Sequence, residues 1–346
     1  MDIVILLLIT LLLYLLPQNK EYLNVKSTSG LRGFLALGII FHHISPLVKT
    51  GEEFSNFSYM GTYIVSIFFF LSAYGLYVQN ESRENYLDNF LVKRLSKIIV
   101  PFFIISLIYM FYRFVNGQLI DLNFFINLFK QGSTIIYNGW FVDIIILMYI
   151  FFYLSFKFFQ NKFLSIVFNT IFIICYICLA IKLGYNFWWY NSVLAFAIGL
   201  IWAKNQNKID RFLEKYYFIV IVLVTVLLFV SHRYDILLKY LHIEDSYSYA
   251  LAANLDNIIF TIYFIIVFLK KINFSNVYLN LIGRISFELY MIHGLVISML
   301  AKIFVSSRVN DVLFTLFVLI ISLILAWIVN KIDKRIIQKV SLIQNQ

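Results

Sequence analysis

An arginine and a histidine eleven positions apart, Arg32 and His43, are the first residues whose types and spacing could do chemistry together. On an α-helix, eleven steps of about 100° make three turns plus about 20°, so both side chains share one face, about 16 Å apart along the axis. A guanidinium can hold an anionic cofactor, and a neutral imidazole can act as a general base toward a hydroxyl group. The pair therefore suits a group-transfer reaction. The alternative is an arginine that extends to lipid headgroups and a hydrogen-bonded core histidine.

Three cations in five residues, Lys93, Arg94 and Lys97, precede Pro101 and an apolar segment. Such clusters commonly mark membrane topology and bind anionic lipid headgroups, which is the first interpretation. The second is a binding site for a phosphate-rich cofactor such as coenzyme A.

Polar residues also enter two later apolar segments. Ser286, Tyr290 and His293 stand at i, i+4 and i+7, so they share a helix face and can line a cavity or bond another helix. In the other segment, Trp140 and Asp143 are one helical turn apart. Asp143 is the carboxylate best suited to orient a histidine.

The sequence gives no support to a metal site, a nucleotide-binding loop, a hydrolase site or a nucleic-acid surface. Cys175 and Cys178 form a C-x-x-C in an apolar segment without further ligands, so we expect two buried small hydrophobes and no metal site. Nucleotide-binding glycine loops and hydrolase motifs are missing from the sequence. The basic residues are divided among short loops, which argues against a nucleic-acid surface.

The elements that must position these residues are membrane helices. Hydrophobic types make up 62% of the 346 residues and charged types 13%, against about 45–50% and 25% in soluble domains. The apolar segments are long enough for helices and lack the alternation of barrel strands. They predict an all-α integral membrane bundle of about ten core helices plus one N-terminal helix, in a single domain 1–346 with its core at about 27–335. The eleven segments are 3–16, 31–48, 60–79, 98–115, 139–156, 163–182, 187–203, 216–231, 252–269, 285–304 and 312–329.

Lysine and arginine positions predict the orientation. If every segment crosses and the N-terminus lies outside, the inner regions carry 20 of the 28 basic residues, as the positive-inside rule requires. The C-terminus is then cytoplasmic. Segment 3–16 is short and ends at Pro17, so it is either a short uncleaved span or an interfacial helix.

Five stretches of the sequence, in chain order, resemble the motifs of the membrane acyltransferase family 3. Arg32 and His43 match its R-x10-H helix, and Trp140 with Phe141 matches its Trp-aromatic pair. The matching stretches are Leu31–Ala36 with His43, Val65–Ser72, Phe90–Pro101, Trp140–Phe141 and Ile285–Phe287 with Tyr290 and His293. Ala73 and Ser66 depart from the family's usual Gly and acidic residue.

The resemblance implies an O-acyltransferase that moves an acetyl group from cytoplasmic acetyl-CoA to a hydroxyl of a cell-surface or lipid-linked glycan. His43 would be the base, assisted by Arg32 and Asp143. Arg32, Lys93, Arg94 and Lys97 would hold coenzyme A, while Ser72, Trp140, Ser286, Tyr290 and His293 would support the site. A composition rich in Ile, Asn, Lys and Phe is typical of an AT-rich bacterial genome. We therefore expect the protein in a bacterial plasma membrane. The alternative is a transporter or flippase, since such proteins also bury His and Arg. The acceptor, the length of the acyl group and the oligomeric state are not given by the sequence.

Overall fold

The structure, a computed structural model, describes residues 3–48, 54–130, 133–304 and 308–343, and these ranges form thirteen α-helices and no β-strand. The predicted all-α class is therefore confirmed. Helices satisfy every backbone hydrogen bond within one segment, as a lipid environment demands. The helices are α1 (Ile3–Tyr14), α2 (Val25–Ile44), α3 (Gly61–Ser82), α4 (Phe90–Val115), α5 (Leu122–Lys130), α6 (Trp140–Phe158), α7 (Lys162–Lys182), α8 (Ala195–Ser231), α9 (Tyr234–Tyr240), α10 (Ser246–Tyr263), α11 (Val277–Arg284), α12 (Ser286–Leu300) and α13 (Arg308–Ile343).

Seven helices of the described chain are long and apolar enough to cross a membrane. They are α3, α4, α6, α7, α8, α10 with the π-helical turn Phe264–Leu269, and α13. The pair α11 and α12, bent by 75° where they join, makes up to an eighth span. The chain is thus a multi-pass membrane protein, and the number of about ten core helices stays a prediction.

Several helices extend beyond the predicted apolar segments. Helix α2 begins at residue 25 rather than 31, and α4 at 90 rather than 98. Helix α8 joins the segments 187–203 and 216–231 through a stretch expected to be a loop, with one non-helical residue at Tyr216. For α4 and α8 the physical reason is that Lys, Arg, Glu and Gln are good helix formers, so a charged stretch without Gly or Pro stays helical where its hydropathy ends. For α2 the reason is a cap, because the Asn24 side-chain oxygen accepts a hydrogen bond from the backbone N–H of Ser27.

The two cysteines correct another expectation. Cys175 and Cys178 are exposed on α7 rather than buried, so they face away from the protein core. A thiol behaves as a small hydrophobe, and a lipid-facing surface accepts it as readily as a protein interior.

The chain divides into two compact units. The first comprises Met1–Thr28, Thr62–Asp88 and Phe151–Ser275, and the second comprises Ser29–Gly61, Asn89–Ile150 and Asn276–Gln346. In the first, the buried hydroxyl of Thr10 on α1 lies 3.2 Å from that of Thr225 and 3.1 Å from that of Tyr263. In the second, α12 packs against α4 and α13 and is buried over most of its length. Helix α12 is therefore the central helix of the second unit.

Candidate active site

Two glycines bring α2 and α11 together, backbone against backbone, in the second unit. A Cβ on Gly33 would lie 2.9 Å from the backbone nitrogen of Gly283 and would overlap the carbonyl oxygen of Leu279. A Cβ on Gly283 would overlap the carbonyl oxygen of Ser29. The Arg32-Gly33 stretch and the Gly283-Arg284 stretch, some 250 residues apart in sequence, are thereby fixed against each other.

Farther along α2, the ring of His43 lies against that of His293 on α12, the helix that follows α11. Their ring centroids are 5.0 Å apart and the ring planes are inclined by 30°. His293 is fully buried, and its Nδ1 lies 3.1 Å from the carbonyl oxygen of Leu289. Nδ1 must therefore carry the proton and donate it, which leaves Nε2 as an acceptor; this atom is buried and has no hydrogen-bond partner in the structure. The arrangement provides one imidazole with an unoccupied lone pair beside a second imidazole.

Asn138 connects this histidine pair to the turn before α6. Its side-chain Nδ2 lies 3.3 Å from Nδ1 of His43, and its backbone carbonyl accepts a hydrogen bond from the hydroxyl of Tyr290. Asn138 has a φ of 61°, a left-handed conformation that asparagine adopts more readily than most residues. The turn thus fixes a polar group against α2 and α12 at once.

His42 faces a different set of neighbours. Its Nδ1 lies 3.0 Å from the carbonyl oxygen of Phe57. A Cβ on Gly61 would lie 2.5 Å from its Nε2, so a larger residue at position 61 would require the ring to move. His42 therefore packs against the start of α3, while His43 is the residue that contacts His293.

Arg32 is half-buried on α2, and its Nε is buried without a hydrogen-bond partner. No carboxylate of the described chain lies within 4.0 Å of its guanidinium nitrogens. A guanidinium in this state retains its capacity to bind an anion. The structure therefore places Arg32 and His43 on one helix, three turns apart, as the sequence predicts.

The three cations of the basic cluster lie in the first two turns of α4. Lys93 and Lys97 are exposed and Arg94 is half-buried. Phe90, 1% exposed, anchors the start of the helix, and the Lys93 amide bonds the carbonyl of Asn89. The N-terminal end of a helix attracts anions through its free N–H groups and dipole, so the three side-chain charges reinforce a field that the backbone already provides.

The remaining predicted residues lie as follows. Asp143 is exposed on α6 and, among the described residues, makes no hydrogen bond or ion pair to a histidine; Asn138 provides the polar contact to His43 instead. Ser286 donates to the carbonyl of Gly283 and so closes the end of α11. Trp140 is half-buried at the start of α6. Ser72 is half-buried on α3, in the first unit.

Asn138 is the residue that sequence reasoning missed. The dipeptide Asn138-Gly139 is a turn signal that favours left-handed backbone, and it directly precedes the Trp140-Phe141 motif. This signal could have found the turn, but not its contact with a histidine 95 positions earlier.

The comparison with protein families identifies the class of protein. A family model for an acyltransferase domain, that of acyltransferase family 3, matches residues 25–331. The chain therefore belongs to this family and is a membrane acyltransferase. Among the curated proteins and the solved structures, none matches the chain.

Proposed function

We propose that this acyltransferase moves an acetyl group from cytoplasmic acetyl-CoA to a hydroxyl group of a cell-surface or lipid-linked polysaccharide in a bacterial plasma membrane. The observation that carries the proposal is on α2, which bears an arginine able to bind an anion and, three turns further along, His43, whose ring lies against the buried ring of His293. The excess of basic residues in alternate loops supports an outside N-terminus and a cytoplasmic C-terminus.

Anion-binding groups support coenzyme A as the donor. Its phosphates would bind Lys93, Arg94 and Lys97 at the start of α4, together with Arg32, whose Nε has no partner. The pantetheine arm reaches about 15–20 Å by chain dimensions, and Arg32 and His43 are about 16 Å apart along the helix. The thioester would therefore reach the histidines while the charged nucleotide stays at the inner surface.

The histidine pair supports general-base catalysis. A half-turn of the Asn138 amide leaves its shape unchanged and puts its oxygen opposite Nδ1 of His43. Nδ1–H then donates to that oxygen, and Nε2 is free to accept the acceptor's hydroxyl proton. The hydroxyl oxygen attacks the thioester carbonyl carbon, the C–S bond breaks, and the thiolate takes the proton from the His43 imidazolium to leave as coenzyme A, which returns His43 to its neutral form.

Replacing His43 with asparagine tests the base. Free-thiol release and acetylated product are measured with the full-length protein in nanodiscs, supplied with acetyl-CoA and a membrane glycan extract. We expect turnover to fall about 10²–10⁴-fold, the usual contribution of a general base, with acetyl-CoA binding unchanged. His242→Asn, at an exposed position, is the matched control. Wild-type turnover in His43→Asn would rule out this mechanism.

Neutralising the basic cluster tests the donor site. The triple variant Lys93→Gln, Arg94→Gln and Lys97→Gln should raise the Michaelis constant for acetyl-CoA several-fold, because charge-assisted bonds to phosphate are lost. The control variant, Lys208→Gln with Lys215→Gln, changes two exposed lysines of α8 and removes charge from a region predicted to lie on the same side of the membrane. If the Michaelis constant for acetyl-CoA is unchanged in the triple variant, the cluster does not bind coenzyme A and only marks membrane topology.

A further inference from the structure

Arg113, in the last turn of α4, is a buried cation that the proposed chemistry does not use. Its side chain belongs to a residue only 9% exposed. Nη1 donates to the side-chain oxygen of Gln118 at 3.2 Å and Nη2 to the carbonyl oxygen of Ile135 at 3.3 Å. Nε is buried and has no hydrogen-bond partner. The guanidinium is therefore held in place with donor capacity left over.

The charge of Arg113 has no counter-ion in the described chain. No carboxylate of the described residues lies within 4.0 Å of it. The rings of Phe124 and Tyr137 lie under the guanidinium, with centroids 5.4 Å and 4.8 Å from Cζ. Aromatic faces and neutral oxygens orient a cation and lower the cost of burying it, but they leave its full charge in place. Buried charges in proteins are normally paired, so the position calls for an anion.

The same residues lead from Arg113 to the histidine pair. Tyr137, under the guanidinium, also packs against Gly294, where a Cβ would lie 3.1 Å from the Cβ of Tyr137. Gly294 follows His293 directly, and Asn138, the next residue after Tyr137, contacts His43. An anion at Arg113 would thus be separated from the reacting hydroxyl by one layer of side chains.

We propose that Arg113 binds an oxyanion, a carboxylate or a phosphate, carried by the acyl acceptor, which makes this protein selective for acidic glycans. The inference rests on the proposed function, because it names the class of acceptor for the same site. A guanidinium presents a planar fork that matches both oxyanions. A neutral glycan would leave the buried charge unpaired and would bind more weakly.

Binding is measured without any acyl transfer, so that it does not depend on the proposed reaction. The thermal midpoint of the full-length protein in phosphatidylcholine nanodiscs is followed against glucuronate, inorganic phosphate and, as the neutral counterpart, glucose, at constant ionic strength. A ligand that binds only the folded state raises the midpoint by mass action. We expect a saturable rise of a few degrees with the two anions at about ten times their dissociation constants, and none with glucose.

Two Arg113 variants and one control variant assign the effect to Arg113. Arg113→Gln should abolish the anion response. Lys302→Gln, which removes an exposed cation bonded to Asn116 at 3.0 Å, should respond like the wild type. Arg113→Lys keeps the charge but loses the fork, so its response should need several-fold more anion. Equal shifts with glucuronate and glucose in the wild-type protein would overturn the proposal, even if the Gln variant fails to fold.

The other source of an oxyanion is a lipid headgroup. Nanodiscs that contain phosphatidylglycerol should leave the response to glucuronate intact if the site belongs to the acceptor. Loss of that response, together with an Arg113-dependent rise in the starting midpoint, would assign the site to lipid and overturn the proposal. The two proposals fail separately. If the protein binds the anions but its His43→Asn variant keeps full turnover, only the proposed mechanism is refuted. If acetyl transfer is intact but the anions cause no rise in the thermal midpoint, only this inference is refuted.

Discussion

Replacing Gly33 with alanine separates two helices that carry the candidate site. The added Cβ would overlap the carbonyl oxygen of Leu279 and lie 2.9 Å from the backbone nitrogen of Gly283. Both obstacles are backbone atoms, which cannot turn aside as a side chain can. Helix α2 must therefore move away from α11, by about 1 Å if normal van der Waals distances are to be restored.

Two opposing effects set the magnitude. Overpacking of a close contact costs about 1–3 kcal/mol, and alanine recovers about 0.5–1 kcal/mol over glycine within a helix. The net change is a loss of about 0–2.5 kcal/mol in stability. Catalysis should suffer more, because a displacement of about 1 Å can cost about 10²-fold in rate, and α2 carries both Arg32 and His43.

Gly75→Ala provides the matched control. Gly75 lies within α3, and a Cβ there would meet no atom within 4 Å, so only the helix-propensity gain of about 0.5–1 kcal/mol remains. The assay compares thermal midpoint and thiol release from acetyl-CoA for both variants in nanodiscs. The midpoint should rise or stay level for Gly75→Ala and fall relative to it for Gly33→Ala, whose turnover should drop about 10²-fold. If Gly33→Ala matched Gly75→Ala in both measurements, the close approach of α2 to α11 could not be what positions the site.

Two further substitutions test a turn and a helix. Asn138→Gly keeps the left-handed backbone of the turn but removes the amide beside His43. Turnover should therefore fall while the thermal midpoint changes little. Wild-type turnover in this variant would show that the amide does not position the imidazole. Thr10→Val removes two buried side-chain hydrogen bonds from α1, each worth about 0.6 kcal/mol in membrane proteins, so the midpoint should drop. Thr170→Val, whose hydroxyl bonds only its own helix, is the comparison, and equal midpoints would place α1 outside the bundle.

Hydropathy located the apolar segments well but misjudged where helices end. Apolar composition reports contact with lipid or core, whereas helix ends depend on caps and on helix-breaking residues. Helix α2 runs six residues ahead of the predicted start because Asn24 caps it: the Asn24 side-chain oxygen accepts a hydrogen bond from the backbone N–H of Ser27 at 2.7 Å. The stretch 204–215 of α8 is helical because it is rich in good helix formers and contains neither Gly nor Pro.

For the site, the sequence could give what lies on one helix and little of what lies between helices. The eleven-residue spacing placed Arg32 and His43 on one face of α2, because helical periodicity is local. The contact between His43 and His293 depends on how α2 packs against α12, which spacing does not encode. The burial of Arg113 could not be predicted for a related reason. An arginine at the end of an apolar segment has the same sequence pattern whether it faces lipid headgroups or is buried against Phe124 and Tyr137.

The distribution of charge has a consequence for the path of the reaction. In the proposed scheme both substrates are anions, coenzyme A at the start of α4 and an acidic glycan at Arg113, so each is held at its own surface by cations and cannot enter an apolar interior. Between the two lie the fully buried His293 and the pair it forms with His43. In this scheme the neutral pantetheine arm with its acyl group reaches these imidazoles from the inner surface, and the acceptor's hydroxyl group reaches them from the opposite side. At the histidine pair the acyl group would pass from coenzyme A, held at one surface, to the glycan, held at the other. Neither substrate would have to cross the membrane.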